Sequence, residues 1–550
     1  MDDRTAAMDD RSPASTVESP ARTDGYDGLT FLGWRWGLAA IIAGLALSFF
    51  LFGSALIYWR NADMDFMVIY NALAMNDGKS QHFFDHTAYV TILTVKYWFQ
   101  LLHGLGLLDA WSLSSIPPAS DTKAFDAAMT HAVHAGRILV FLIAVASVLI
   151  FVGLMLAVVR DWRVALIATN AFAFSGGVAV HSRILRSEFL AAMPVIFAFL
   201  ILIAVGRRAS FARPLAIGLA AALCVLGLEN KVQAILLIGV LPLAVLPFGS
   251  CEGASVAFWR GTPAAWIAAA LAAVTAGGAA GAAWPLIVVG FDRTLLEAAH
   301  FRPLLMGRFG VYQVALIALI ATCMVAYAAI WRVSIAETLA SMFAIVTAAS
   351  VMLLLLELQY DPRNVIAVAN PLEKMLTFAD AATQDAASAP GPSATIRLLL
   401  GDLGSVLARY TFVLQPSARP TVFLTWLIAP GIVVAWRRGQ RLAAFQSLTL
   451  LLAAIGIDTL GVRRGLKSEY FIFTDPLIVI AGAILLDRLP DLRFARFTYA
   501  IGTMLLVMHL IVGQAETAKH AFKDAGPESI CEWNDHYMPL LPLPWCPQRS

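Results

Sequence analysis

The chain has 550 residues, of which 59% are hydrophobic and 14% charged, and its formal net charge at pH 7 is +2. A soluble domain carries about 25% charged residues, so this composition and a mean hydropathy of +0.74 exclude an ordinary soluble protein. The apolar segments run to roughly 20 residues without the alternation of a barrel strand, which predicts an all-α polytopic membrane protein. A net charge so close to zero gives no indication of a nucleic-acid partner.

The first 32 residues are polar and rich in Asp, Arg, Ser, Thr and Pro. They predict a disordered cytoplasmic tail without a cleavable signal peptide. Residues 33–514 then form a membrane domain, in which we expect about 13 spanning helices. The predicted spans are 36–58, 138–159, 164–181, 189–206, 214–228, 232–248, 264–290, 311–331, 336–357, 420–436, 443–458, 470–486 and 497–514.

The arginine content of short loops predicts the orientation of the chain, because basic short loops stay in the cytoplasm. The loops concerned are RDWR (160–163), RRASFAR (207–213), WRRGQR (436–441) and DRLPDLRFAR (487–496). All four join spans on the face that also holds the N-terminal tail. We therefore expect this face to lie in the cytoplasm. The Ala- and Arg-rich composition separately indicates a bacterial inner membrane.

The opposite, periplasmic face holds the long loops, which is where function usually resides. These are a first loop over 59–135, a second over 358–419 and a C-terminal tail over 515–550. The first loop contains YNALAMNDGKSQHFF and TILTVKYWFQLLHGLGLL, which predict two amphipathic helices lying on the membrane surface.

Two carboxylates, Asp63 and Asp65, directly follow the first span. Residues two apart in an extended segment point the same way, so both side chains can face one cavity. There they would share a divalent metal ion such as Mg²⁺ or Mn²⁺, or act as a general base and its orienting partner. Two acids at the end of a span are often simply solvated, so the pair alone is a weak signal.

The sequence after these acids resembles the first periplasmic loop of the protein-mannosyltransferase and aminoarabinose-transferase families, which are membrane glycosyltransferases with the GT-C fold. In those families an acidic motif is followed by a surface helix that ends in Gly, and then by a segment similar to His-Pro-Pro-Leu-Tyr. Here Gly78 has the place of the helix stop. Asp85-His86-Thr87-Ala88-Tyr89 has the place of the next segment, without its two prolines.

The resemblance continues through most of the chain, although each motif is short. The matching positions are Arg137 at the start of the second span, Glu188 within SRILRSEFLAAM, Lys231 within GLENKVQAILLI, and Tyr470 within SEYFIFTDPLIVI. The ordered set is more specific than any one of its members.

The resemblance implies an inverting glycosyltransferase that takes a sugar from a polyprenyl phosphate at the outer face of the membrane. A carboxylate deprotonates an acceptor hydroxyl, which attacks the anomeric carbon, and the polyprenyl phosphate leaves. The acceptor would be lipid A, another envelope glycan or a protein, and membrane lipids would surround the site. We predict Asp65 as the base and Asp63 as its partner, although the spacing also allows the reverse order.

A leaving phosphate needs cations at the membrane surface. The candidates are Lys231, Arg183, Arg186, Arg463, Arg464 and Lys467. Each has a plainer alternative, namely a contact with lipid headgroups or, for Lys231, an ion pair with Glu229. The remaining substrate-binding candidates are Glu188, Asp85, His86, Tyr89 and Tyr470. For Glu188 the alternative is a salt bridge to Arg183 or Arg186.

Two other classes of protein remain open. A lipid or glycan transporter without transferase activity would show two related halves and charged residues in the middle of its spans. A non-catalytic scaffold would tolerate replacement of Asp63 and Asp65. We find no internal repeat and few charges in mid-span, so the transferase is the preferred hypothesis.

The cysteines leave one question open. Cys531 and Cys546 flank a stretch with Pro and Trp in the C-terminal tail. They form a disulfide if the tail lies on an oxidising face, and are otherwise two free thiols. None of the five cysteines has the spacing of a metal site, and His131 and His134 have no neighbouring ligand that would make them a zinc site.

Overall fold

The computed structural model describes residues 28–547 except 55, 62–64, 82–87, 207–210, 250–256, 290–308, 358–391, 414–418, 462–467, 490–495, 522–529, 532–533 and 535–536. Every regular element in this part of the chain is helical, which confirms the all-α prediction. The α-helices are α1 (Gly28–Phe52), α2 (Met67–Asn76), α3 (Tyr89–Gly104), α4 (Thr122–Val158), α5 (Trp162–Ala173), α6 (Gly176–His181), α7 (Ser187–Gly206), α8 (Arg213–Leu228), α9 (Ala234–Val245), α10 (Pro263–Val289), α11 (Phe309–Ile330), α12 (Ile335–Glu357), α13 (Pro392–Thr411), α14 (Val422–Arg437), α15 (Arg441–Gly461), α16 (Asp475–Arg488) and α17 (Arg496–Ala521).

Six helices in the described part are long and apolar enough to cross a membrane: α1, α4, α7, α10, α12 and α15. Shorter apolar helices accompany them, namely α8, α9, α11, α14 and α17. Each predicted span overlaps a helix, but two of them are divided: the span over 164–181 consists of α5 and α6, and the span over 470–486 consists of a 3₁₀ helix (Ser468–Phe473) and α16. The chain breaks between α5 and α6 because the Ser175 side chain caps α6, accepting a hydrogen bond from the Val178 N–H.

The first long loop and the C-terminal tail share a hydrophobic core of their own. Its buried members include Phe66, Val95, Phe99, Phe125, Met129, Ile530 and Leu541. Of the two helices predicted to lie on the membrane surface, α2 is buried along Met67–Ala74. Helix α3 keeps one exposed face, with Tyr97 and Leu101. The loop therefore folds as a compact unit around α2, and the tail packs against it.

Cys531 and Cys546 form a disulfide, which decides between the two alternatives for the tail. Between them, Met538 and Leu541 are buried, and the Leu540 N–H donates a 3.3 Å hydrogen bond to the Tyr70 hydroxyl. Disulfides persist in oxidising compartments. The pairing is therefore consistent with a tail outside the cytoplasm.

Replacing Cys531 with Ser is expected to release this tail from the first loop. A disulfide closing a loop of 15 residues contributes about 3 kcal/mol by limiting the freedom of the open chain. Limited proteolysis of the whole protein should then cleave the tail much faster. Cys323→Ser, which removes a free thiol on α11, is the control, and equal cleavage of both variants would contradict the expectation.

Candidate functional site

Asp65 is completely buried and forms an ion pair with Arg137. The Nε and Nη2 atoms of Arg137 lie 2.9 and 2.8 Å from Oδ2 of Asp65, and both side chains are 0% exposed. The Leu185 N–H donates to Oδ1 of the same carboxylate. Arg137 also donates from Nη1 to the carbonyl of Leu56. These contacts tie the end of the first span, the start of α2 and the segment before α7 to one point on α4.

The surroundings of Asp65 affect both its pKa and its free acceptor positions. Burial raises the pKa of the Asp65 carboxyl above its ordinary value of 3.8, and the contacts with Arg137 and Leu185 oppose this shift. A carboxylate has about four acceptor positions. Among the described residues, Oδ2 accepts one hydrogen bond, from Arg137 Nε, and Oδ1 accepts one, from Leu185, so Oδ1 keeps a position at which Asp65 can accept a proton.

The predicted divalent metal site at Asp63 and Asp65 stays a prediction. Asp63 lies outside the described residues, and both oxygens of Asp65 already accept hydrogen bonds. In the described ranges, no three His, Cys, Asp or Glu side chains come together as a metal-binding group. A metal ion at Asp65 would have to compete with the Arg137 guanidinium. We therefore assign no step of sugar transfer to a metal ion.

Glu188, at the start of α7, is the centre of a second group of buried charges. Lys231 Nζ contacts its Oε1. Arg186 lies 3.2 Å from Oε1 through Nη2 and 3.3 Å from Oε2 through Nε. His181 Nε2 lies 3.8 Å from Oε2. Glu188, Lys231 and His181 are 0% exposed, and the Arg186 side chain is 11% exposed.

A short 3₁₀ helix over Ser468–Phe473 covers this group. Its Glu469 lies 3.4 Å from Arg186 Nη2, and the ring of Tyr470 lies 5.3 Å from Lys231 Nζ. The turn comes this close to α6 because residue 177 is glycine. A Cβ at Gly177 would lie 2.5 Å from the backbone nitrogen of Ile472.

The two charged groups are joined by the four residues 185–188. Leu185 binds Asp65, while Arg186 and Glu188 belong to the second group. The Tyr89 N–H donates a 3.1 Å hydrogen bond to the Glu229 carbonyl, which places the start of α3 beside the loop that carries Lys231. The predicted residues Asp65, Glu188, Lys231 and Tyr89 therefore converge at one end of the spans.

Arg183 is buried nearby, and no carboxylate contacts it among the described residues. Its Nη2 donates to Ser48 Oγ and Gln514 Oε1, and its guanidinium lies 5.3 Å from the centre of the Phe52 ring. In the part of the chain that the structure describes, Nε and Nη1 have no hydrogen-bond partner. Burial lowers the pKa of Arg183 to about 9. Buried charges are normally paired, so this position suits an anionic ligand.

A third buried group of charges, which the motifs did not reveal, is centred on Arg419. Arg419 contacts Asp458 and lies 2.8 Å from Asp475. Its guanidinium packs between the rings of Tyr410 and Phe471, at 4.7 and 4.5 Å. The two acids lie near the end of α15 and at the start of α16. Acids beside an apolar span are the sequence feature from which this group could have been predicted. The network holds the turn that carries Glu469 and Tyr470.

Arg419→Gln is expected to destabilise the fold by about 3–5 kcal/mol, because removing one member of a buried ion pair leaves its partner charged and unpaired. Here two carboxylates would be left, those of Asp458 and Asp475. Thermal unfolding in detergent measures the effect. The control is Arg437→Gln, which removes an exposed arginine at the end of α14. Equal unfolding midpoints for the two variants would refute a structural role for Arg419.

The other predicted residues lie outside the described residues: Asp63, Asp85, His86, Arg463, Arg464 and Lys467. The missed residues that contact the predicted ones are His181, Glu469 and Gln514. Each comes from a different helix or turn, so only the packing of the spans shows the association. Arg137 was expected from its place at the second span, but its pairing with Asp65 was not.

No family model and no curated protein matches the chain. Among solved structures, the chain is similar to the archaeal oligosaccharyltransferase AglB from Archaeoglobus fulgidus, in complex with an inhibitory peptide and a dolichol-phosphate. The two are 12% identical with a TM-score of 0.42, and the similarity covers 95% of this chain and 62% of the AglB chain. A likeness at this level decides neither the fold family nor the activity.

Proposed function

We propose that this chain is an inverting glycosyltransferase of the GT-C type, which moves a sugar from a polyprenyl phosphate to an acceptor hydroxyl. The observation that carries the proposal is the convergence of Asp65, Glu188 and Lys231 at one end of the spans, close to the buried Arg183. This combines a candidate base with cations for a leaving phosphate. The order of the family-like motifs along the chain supports the same conclusion.

In the proposed reaction, Oδ1 of Asp65 accepts the proton of the acceptor hydroxyl while the hydroxyl oxygen attacks the anomeric carbon. The bond between that carbon and the phosphate oxygen breaks, and its electron pair leaves with the polyprenyl phosphate. Arg137 fixes the orientation of Asp65 and favours its ionised form. Asp63, two residues away, is the alternative base.

Arg183 is the cation that we assign to the leaving phosphate. No described residue accepts a hydrogen bond from its Nε or Nη1, whereas Lys231 and Arg186 contact Glu188. Charge-assisted hydrogen bonds to phosphate are among the strongest that a side chain makes. Glu188 in turn holds Lys231 and Arg186 beside the acceptor, together with Tyr470.

We place this reaction at the periplasmic face of a bacterial inner membrane. The support is the arginine content of the short loops at the other ends of the spans and the disulfide of the tail. Lipid A, another envelope glycan and a secreted protein are all acceptors accessible from this side.

Arg183→Gln is expected to raise KM for the polyprenyl-phosphate sugar by about tenfold to a hundredfold, because a hydrogen bond to a charged group contributes about 1.5–3 kcal/mol. Initial rates over a range of donor concentrations measure the change. The control is Arg437→Gln, which removes an exposed arginine at the C-terminal end of α14. A KM equal to that of the control would remove Arg183 from the phosphate site.

A reconstitution experiment distinguishes the transferase hypothesis from the transporter hypothesis. Purified protein in proteoliposomes is given a panel of polyprenyl-phosphate sugars with envelope extract as acceptor, with Mg²⁺ or with EDTA. The proposal predicts cleavage of the sugar–phosphate bond of one donor. Movement of the intact lipid between leaflets without cleavage would establish the transporter instead.

A further inference from the structure

A cavity of about 430 Å³ lies between α5, α14, α16 and α17. Its walls are Ala, Val, Leu, Ile, Gly and Pro residues, together with the hydroxyl of Thr503, and no charged side chain lines it in the described part of the chain. The volume is in the range of about 300–1,000 Å³ that small-molecule sites occupy. A hydrocarbon chain is the ligand that such walls suit, because they offer almost no hydrogen bonds.

The cavity extends to the end of α16 that is opposite to the candidate site. On α16 it begins at Ile478 and ends at Leu489, whereas Asp475 at the start of that helix belongs to the Arg419 network. At about 1.5 Å per residue, the lined part of α16 is about 16 Å long. The hydrocarbon core of a bilayer is about 30 Å thick. The lined part of α16 is therefore about as long as one leaflet is thick, and it ends at Leu489, at the end of the helix opposite to Asp475.

Arginines precede the lining residues at one end of the cavity, Arg163 before Val164 and Arg488 before Leu489, and we call this end the rim. The N–H groups of Arg160 and Asp161 donate to Oδ1 of Asp487 at 2.9 and 3.1 Å, which brings the start of α5 beside the end of α16. The half-buried Arg488 side chain is 31% exposed, and its Nε lies 3.9 Å from Oδ2 of Asp487, whose side chain is 3% exposed. Arg160 and Arg163 are exposed. The exposed arginines make this rim suitable for an anion.

We propose that the cavity binds one acyl chain of an anionic phospholipid, with Arg160 and Arg488 at the phosphate. Basic groups beside apolar clefts between spans are a recurrent arrangement for anionic lipid headgroups. The site is separate from the sugar donor, whose phosphate we assign to Arg183 at the other ends of the spans. The inference is therefore independent of the proposed function.

The test is native mass spectrometry of the full-length protein, delipidated in mild detergent and titrated with phosphatidylglycerol or phosphatidylcholine. Gly502→Leu fills the cavity, because a Cβ on this lining residue meets no atom within 4 Å. Gly456→Leu on α15 is the matched control, since its Cβ also meets no atom within 4 Å and it does not line the cavity. We expect at least tenfold weaker phosphatidylglycerol binding in Gly502→Leu and no change in Gly456→Leu.

The arginines are tested separately, so that the proposal does not depend on the folding of one variant. The double variant Arg160→Gln, Arg488→Gln should lose the preference of the wild type for phosphatidylglycerol over phosphatidylcholine. Equal binding of the two lipids by the wild type would overturn the proposal, as would full binding by Gly502→Leu. Retention of polyprenyl phosphate at this cavity in place of phospholipid would also overturn it.

Discussion

Asp65→Asn should lower the rate of sugar transfer by about 10²–10⁴-fold, the usual contribution of a general base. The amide keeps the size of the carboxylate but cannot take up the proton of the acceptor. Because the change also breaks the buried ion pair with Arg137, initial rates with saturating donor are compared per amount of folded protein. Asp126→Asn is the control, because Asp126 is another acid of the first loop, bonded to the Tyr58 hydroxyl at 2.5 Å. Asp63→Asn, measured beside them, decides which of the two acids is the base.

The pH dependence gives this first prediction a second readout. A base acts only when it is ionised, so kcat/KM should fall as the pH is lowered through the pKa of Asp65. Burial raises this pKa above 3.8, so the acid limb of the profile should have its midpoint above pH 3.8. Full turnover in Asp65→Asn, or an acid limb at or below pH 3.8, would exclude Asp65 as the base.

Glu188→Gln should destabilise the protein by about 3–5 kcal/mol, because the buried cations would lose their carboxylate. Lys231 is 0% exposed and would lose its ion pair with Glu188, whereas Arg186 would keep Glu469. The thermal unfolding midpoint and the yield of folded protein in detergent measure the cost.

The double variant Glu188→Gln, Lys231→Met is the control for this second prediction. If the pair is coupled, its cost should be smaller than the sum of the single costs by about 0.5–3 kcal/mol, as for residues in contact. Additive costs would show that Glu188 and Lys231 do not depend on each other.

The helices themselves were largely predictable, since an apolar run as long as a bilayer is thick has few alternatives. The spans predicted over 189–206 and 336–357 correspond to Ser187–Gly206 and Ile335–Glu357. The start of α4 was placed too late, at residue 138 in place of Thr122. The first turns of this helix bury Phe125 and Met129 in the core of the outer loop, so they lack the continuous hydrophobicity of a span.

The charged pairs of the site could not be predicted from spacing. Asp65 and Arg137 are 72 residues apart, and Arg419 and Asp458 are 39 apart, whereas the spacing rules of a helix extend over about four residues. Which acid meets which base depends on the packing of the spans. The sequence does show that charges beside apolar spans are costly unless paired or functional. This principle selected Asp63 and Asp65, whereas the family resemblance selected Glu188 and Lys231.

The most direct test is a single-turnover reaction of the purified wild-type protein with polyprenyl phosphate that carries a radiolabelled sugar, in the presence of envelope extract. We expect the label to pass to an acceptor while an equal amount of free polyprenyl phosphate accumulates. If folded protein left the label on the carrier lipid with every polyprenyl-phosphate sugar tested, the proposed transfer chemistry would be contradicted.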